Sequence, residues 1–131
     1  MPLFNDEEVV RPLCEAVFQN LGDKFSRLRL ILVDDGSDDR SFNLAMEEKE
    51  RESRIEVIRL ASNFGQHRAI SAGLKFAQAD YVAIMDSDLQ DNPADIPLLI
   101  EKMKTEDKMM SIARRDSRKD HLFKRVVSRI F

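Results

Sequence analysis

The sequence predicts an α/β domain built on a mostly parallel sheet with helices on both faces. Two observations predict it. Apolar residues switch repeatedly between a spacing of three to four and short continuous or alternating runs. Loops rich in Asp, Asn, Gly and Ser follow three of those runs, as loops do at the carboxyl ends of buried strands.

Each element follows from its pattern. Residues 7–21 place Val10, Leu13, Cys14, Val17, Phe18 and Leu21 at spacings of three and four, the stripe of an amphipathic helix with Asn5 or Asp6 as its N-cap. Cys14 sits in that stripe and reads as core rather than nucleophile. Residues 28–33 (LRLILV) form a strand, and residues 34–40 a loop. Residues 41–54 form a charged helix that buries Phe42, Ala45 and Met46. Residues 55–60 form a strand with Ile55, Val57 and Ile58 inward, followed by a loop over 61–66. Residues 67–78 form a helix whose Ala69, Ala72 and Gly73 let it lie close to a sheet. Residues 81–85 (YVAIM) are almost wholly apolar, as in a strand covered on both faces. After a loop over 86–92, Asn92 and Pro93 open a helix that runs to residue 104. A strand over 109–113 and a basic amphipathic helix over 119–131, through Leu122, Phe123, Val126, Val127 and Ile130, complete the pattern.

A chain of 131 residues with 43% hydrophobic residues suits one domain with its own core. The four residues before the first helix look too few for the strand of a βα unit. The last helix carries no stop signal, so a fragment incomplete at both ends is the expectation. Net charge is −3, but residues 114–131 hold seven Arg or Lys against two Asp. An acidic body with a basic tail suits a cation site and a separate surface for phosphates or anionic lipid, or else a solvated helix face. One cysteine excludes an internal disulfide and fits a reducing compartment. No apolar run nears the roughly 20 residues needed to cross a bilayer, and no signal peptide is evident.

Three loops carry the chemistry: Asp34-Asp35-Gly36-Ser37-Asp38-Asp39, Ser62-Asn63-Phe64-Gly65-Gln66-His67 and Asp86-Ser87-Asp88-Leu89-Gln90-Asp91. Two acidic loops on one sheet edge repel each other unless a cation or hydrogen-bond donors intervene. Hard cations such as Mg²⁺ or Mn²⁺ favour carboxylate and phosphate oxygens, and carboxylates at i and i+2 of an extended segment share a side. Asp86 and Asp88 are therefore candidate metal ligands. Neither G-x-G-x-x-G nor a P-loop is present, so phosphate binding through metal is expected rather than through a glycine cradle. Helix capping is the competing reading of Asp38, Asp39 and Asn92. A response-regulator receiver would have its Asp pair at the end of its first strand, and a haloacid-dehalogenase phosphatase would not have Gln90 four residues after Asp86.

In combination these motifs resemble the family 2 glycosyltransferases of GT-A fold. The residues concerned are Pro2-Leu3-Phe4-Asn5-Asp6-Glu7 against P-x-Y-N-E-E, residues 33–39 against V-D-D-G-S-x-D, residues 62–67 with Ala72-Gly73 against R-N-x-G…A-x-x-x-G, and Asp86-Ser87-Asp88-Leu89-Gln90 against D-x-D-L-Q. The Leu-Gln after the second acid and the tail with Arg114 and Arg118 look closest to the dolichyl- or polyprenyl-phosphate sugar transferases. The resemblance implies that residues 1–131 are the nucleotide-sugar-binding portion of a metal-dependent, inverting enzyme. That enzyme would move a sugar from UDP- or GDP-sugar to a lipid phosphate. Pro2, Phe4, Asp6, Asp34 and Asp35 would hold base and ribose. Asp86 would contact the ribose or the metal shell, with Ser87 beside it in the nucleotide-sugar set. Asp88 would be the main metal ligand and the catalytic acidic residue, and Gln90 and Arg114 would lie at the diphosphate. Phe4 and Asp6 stand where the family has Tyr and Glu.

The family's acceptor-binding half lies beyond residue 131, so the isolated chain is expected to be poorly active or inactive. The cofactor implied is Mg²⁺ or Mn²⁺. The partners are the sugar nucleotide and a lipid-phosphate or saccharide acceptor, with membrane association through the missing C-terminal part, an oligomer open, and no nucleic acid. The expected location is the cytoplasm at the inner face of a membrane, in cell-envelope glycan synthesis. The alternatives are a saccharide acceptor and a non-catalytic nucleotide- or metal-binding module.

Overall fold

The computed structural model describes residues 1–113. Arg114, the basic tail and the helix expected over 119–131 lie outside the described residues. The chain divides into two compact units, Met1–Pro97 and Leu98–Phe131.

The first unit carries a parallel three-stranded sheet in the order β1 (Pro2–Leu3), β2 (Leu30–Asp34), β3 (Ile55–Arg59). The helices are α1 (Val10–Leu21), α2 (Ser41–Arg51), α3 (Gln66–Phe76) and α4 (Ile96–Thr105), the last following a 3-10 turn at Pro93–Asp95. Alternation along β2 assigns the two faces. Leu30 and Leu32 join Val10, Leu13, Cys14, Val17 and Leu21 of α1, Leu44 and Ala45 of α2, and Ile55 in one core. Each large side chain buried there contributes about 1.5–3 kcal/mol. The opposite face of β2 carries α3. A Cβ on Gly73 would lie 3.0 Å from Val33 Cγ2 and 4.0 Å from Ile31 Cγ2, so the small stripe lets α3 touch the sheet, with Ala69 fully buried. Helices on both faces of a parallel sheet are as expected.

Several expectations need correction. The opening residues do form a strand. Pro2 and Leu3 pair with Val33 and Asp34, and the bonds Val33 N to Met1 O (2.9 Å) and Asp35 N to Leu3 O (2.8 Å) extend the pairing at both ends. Residues 81–85 do not form a strand. Tyr81, Val82 and Ile84 are exposed, and only Met85 is buried. An apolar run needs a laddered neighbour to become a strand. The short edge at β1 offers two residues, one of them a proline without an N–H. Residues 41–51, not 41–54, form α2. Its buried residues are Ser41, Leu44, Ala45 and Glu48, while Phe42 is half-buried beneath Arg59. Neither Asn5 nor Asp6 caps α1 with its side chain. The helix starts at Val10, and the Asp6 carbonyl accepts from Val9 and Val10 N–H. Asn92 is a cap as read, accepting from Ala94 N–H at 3.1 Å.

Among the described residues, the second unit holds the rest of α4 and the segment to Ala113. Residues 109–113 form no strand there, and Met109, Met110 and Ile112 are exposed, because no described residue pairs with them. No helix among the described residues is long and apolar enough to cross a membrane.

Candidate functional site

Four loops meet at the carboxyl edge of the sheet, and hydrogen bonds connect them in series. The opening loop is zipped to the loop after β2. Asn5 N donates to Ser37 Oγ (3.1 Å), Asp6 N to Ser41 Oγ (2.7 Å) and Glu7 N to Asp39 Oδ2 (3.2 Å). In return Asp38 N donates to Asn5 Oδ1 (3.0 Å) and Arg40 N to Glu7 Oε2 (3.0 Å). Burial disfavours the Asp39 carboxylate, but the Ser41 side chain and the Ser41 and Glu7 amides outweigh it and hold the carboxyl below its ordinary range.

The loop after β2 is then tied to the loop after β3. Asp35 is buried, and both its oxygens accept backbone amides, Oδ1 from Phe64 and Oδ2 from Gly65, each at 2.8 Å. Gly36 permits this approach. Its φ is +73°, and a Cβ there would stand 2.6 Å from Ser62 C and 2.7 Å from Asn63 N.

The third acidic loop joins both. Gln66 Nε2 donates to Asp86 Oδ1 at 2.7 Å, and Ser87 Oγ donates to Asp6 Oδ2 at 2.7 Å, an oxygen that also accepts from Phe4 N at 3.0 Å. Asp88 Oδ1 accepts from Gln90 N at 2.9 Å, across Leu89 with φ +57°. The loop therefore sits at the edge as expected, held by side-chain bonds instead of by a strand behind it. Burial pushes the Met1 α-amino group down to about 6, opposed by the negative charge of Asp86.

Asp34 is wholly buried, with Oδ1 accepting a long bond from Ser37 N (3.4 Å). Its Oδ2 faces Arg59 Nε at 3.3 Å, a charge contact outside hydrogen-bond geometry. A buried carboxylate this loosely satisfied needs the nearby cation. The Arg59 guanidinium also stacks 4.4 Å above the Phe42 ring and donates to Ser37 O at 3.4 Å. Beside it opens a hollow of about 590 Å³ lined by Phe4, Gly36, Ser37, Asp38, Arg59 and residues 60–63.

The edge thus brings together Phe4, Asp6, Asp34, Asp35, Asp86 and Ser87 of the expected set. Pro2 is buried in β1, and Phe4 is half-exposed on the hollow. Gln90 and Leu89 line a second hollow, of about 210 Å³, with Leu13, Asn20 and Pro93. Two contributors escaped sequence reasoning. Gln66 holds Asp86, and its only signal was its place in the second loop. Arg59 gave none, because a charged last residue of an exposed-edge strand looks like surface.

A metal would have Asp86 and Asp88 to bind. Among the described residues no three His, Cys, Asp or Glu side chains form a ready cage. One oxygen of each already accepts a hydrogen bond, Asp86 Oδ1 from Gln66 Nε2 and Asp88 Oδ1 from Gln90 N. A pair two residues apart suits a hard cation that draws its other ligands from diphosphate and water.

The chain resembles proteins of known family in sequence and in fold. It is 38% identical over 128 residues to the dodecaprenyl-phosphate galacturonate synthase of Rhizobium johnstonii, covering 97% of this chain and 38% of that protein. It is 36% identical over 133 residues to the undecaprenyl-phosphate 4-deoxy-4-formamido-L-arabinose transferase of Photorhabdus laumondii, covering 99% and 40%. The chain thus spans about two fifths of the length of these relatives. Among solved structures, S. aureus TarS residues 1–349 in complex with UDP superposes with a TM-score of 0.63 at 20% identity, covering 90% of this chain and 36% of that one. At that identity the likeness shows the GT-A fold. The family model for glycosyl transferase family 2 matches residues 1–130, and this chain belongs to that family.

Proposed function

We propose that the chain is the nucleotide-sugar-binding portion of a metal-dependent, inverting glycosyltransferase that passes a sugar from UDP- or GDP-sugar to a polyprenyl or dolichyl phosphate. One observation carries the reading: the bonds Ser87–Asp6 and Gln66–Asp86 hold the Asp86-Ser87-Asp88 loop at the same sheet edge as the 590 Å³ hollow. A base and ribose would fit between Phe4 and the loop after β2, which leaves the diphosphate to reach the acidic loop. The names of the relatives, which concern dodecaprenyl and undecaprenyl phosphates, support the acceptor class.

In this reading Asp35 serves the donor indirectly, since its carboxylate fixes residues 64–65. Asp86 and Asp88 would hold Mg²⁺ or Mn²⁺, which would supply charge to offset that building on the leaving diphosphate. Gln90, two residues past Asp88, would contact the diphosphate, as would Arg114, which lies outside the described residues. A phosphate acceptor is already anionic and needs little help from a general base, so no carboxylate base is asked of this portion. Such an acceptor would bring the reaction to a membrane surface.

Calorimetric titration of UDP, GDP and their sugars with and without Mn²⁺ tests the reading. Wild type should bind one nucleotide series tighter with Mn²⁺, and Asp88→Asn should remove the gain. Binding indifferent to both Mn²⁺ and Asp88 would overturn the metal assignment.

A further inference from the structure

We propose that Arg59 is a positioning and specificity residue for the nucleoside end of the donor, selecting a base that carries an exocyclic carbonyl. This rests on the nucleotide reading above. Arg59 closes β3, the strand whose outer end borders the hollow. Three partners fix its guanidinium: the Phe42 ring beneath it at 4.4 Å, Asp34 Oδ2 at 3.3 Å and the Ser37 carbonyl at 3.4 Å. A planar guanidinium held by stacking and by a carboxylate has lost most of its rotamer freedom before any ligand arrives. Its side chain nevertheless remains 50% exposed, on the wall of the hollow.

The rest of that wall narrows what Arg59 can do. Arg59 is the one cationic side chain among the described lining residues. The buried acids behind it are occupied, Asp35 by the Phe64 and Gly65 amides and Asp34 by Ser37 N and by Arg59 itself. Phe4, 42% exposed, offers a ring face on the same wall. A flat base against Phe4 with a carbonyl oxygen toward Arg59 satisfies both. Uracil and guanine carry such an oxygen, and adenine does not; in the orientation that points guanine O6 at Arg59, an adenine would present its exocyclic amine instead, donor against donor. Arg59 thus joins two tasks. It holds the Asp34–Ser37 turn against β3, and it reads the ligand.

NMR titration of the 131-residue chain with uridine, UDP, guanosine, GDP, adenosine and ADP tests this. Arg59→Met keeps an apolar stem on Phe42 and removes the donors, and Arg59→Lys restores the charge without the planar fork. Wild type should favour the uracil or guanine pair over the adenine pair. Arg59→Met should weaken the nucleoside and its diphosphate by the same factor, about tenfold or more for a lost charged hydrogen bond. It should also erase the preference over adenine, and Arg59→Lys should recover part of it. Phe42→Leu, which frees the guanidinium without removing it, should weaken binding severalfold and keeps the test open should Arg59→Met fail to fold. Uridine and guanosine affinities within twofold of wild type in Arg59→Met or Phe42→Leu would overturn the inference. So would a loss confined to the diphosphates, which would make Arg59 a phosphate contact. If wild type binds none of the six, the nucleotide reading fails and takes this one with it.

Discussion

Asp35→Asn is the sharpest test of how this edge is built. The carboxylate is 2% exposed and accepts two backbone amides at 2.8 Å, one on each oxygen. An asparagine has the same shape but one acceptor. Whichever way it turns, an NH₂ group meets the N–H of Phe64 or Gly65, so one bond is lost and two donors collide. The surviving bond is no longer charge-assisted. A bond to a charged group contributes about 1.5–3 kcal/mol; Phe64 and Gly65 are exposed and Gly65 N–H also donates to Asn63 Oδ1 at 3.1 Å, so no orphan penalty adds to it and the variant should lose about 1.5–3 kcal/mol. At about 4–8 °C per kcal/mol for a domain near 100 residues, the melting temperature should fall by about 6 °C or more. Urea unfolding gives the free energy, and amide exchange locates it, since Phe64 and Gly65 should lose protection before the core strands do. A loss below about 0.5 kcal/mol, the range of an indifferent surface change, would refute the clamp.

Other outcomes follow from the same geometry. Gly36→Ala should destabilise by about 2 kcal/mol or more in urea unfolding, because φ is +73° and its Cβ would stand 2.6 Å from the Ser62 backbone; an unchanged midpoint would refute the contact. Cys14, whose thiol burial pushes up to about 12, should resist iodoacetamide at pH 8 in the native chain and react at once in urea; fast native labelling would contradict its place in the core. The Met1 amine, near 8.0 when unfolded and about 6 when folded, binds fewer protons in the folded chain between those values. Stability should therefore rise from pH 6 to pH 8, by at most about 2–3 kcal/mol. N-terminal acetylation should flatten that slope in urea titrations at the two pH values, and a slope that survives acetylation would assign it to other groups.

The sequence revealed elements in proportion to how local their causes are. Val10, Leu13, Cys14, Val17 and Leu21 define α1 because a helix satisfies its own backbone, so its pattern needs no outside partner. Residues 81–85 have an equally apolar pattern, but a strand is made by its neighbour, and no feature of YVAIM says how long β1 will be. The acidic loops were legible as a cluster because Asp and Gly punctuate strand ends. What each acid touches was not legible. Asp35 finds its amides about thirty residues away, and Ser87 finds Asp6 across 81 residues, separations that no spacing rule encodes. Arg59 became visible only once β3 had set it above Phe42.

The interlaced opening loops carry a consequence for inheritance. Asn5, Asp6, Glu7, Ser37, Asp38, Asp39 and Ser41 hold one another in place before any substrate is considered. Selection for a chain that merely folds would preserve that string of letters almost as strictly as selection for turnover. A descendant that has shed its chemistry can therefore keep its signature, and the signature dates the ancestry of such a chain better than it certifies its present occupation.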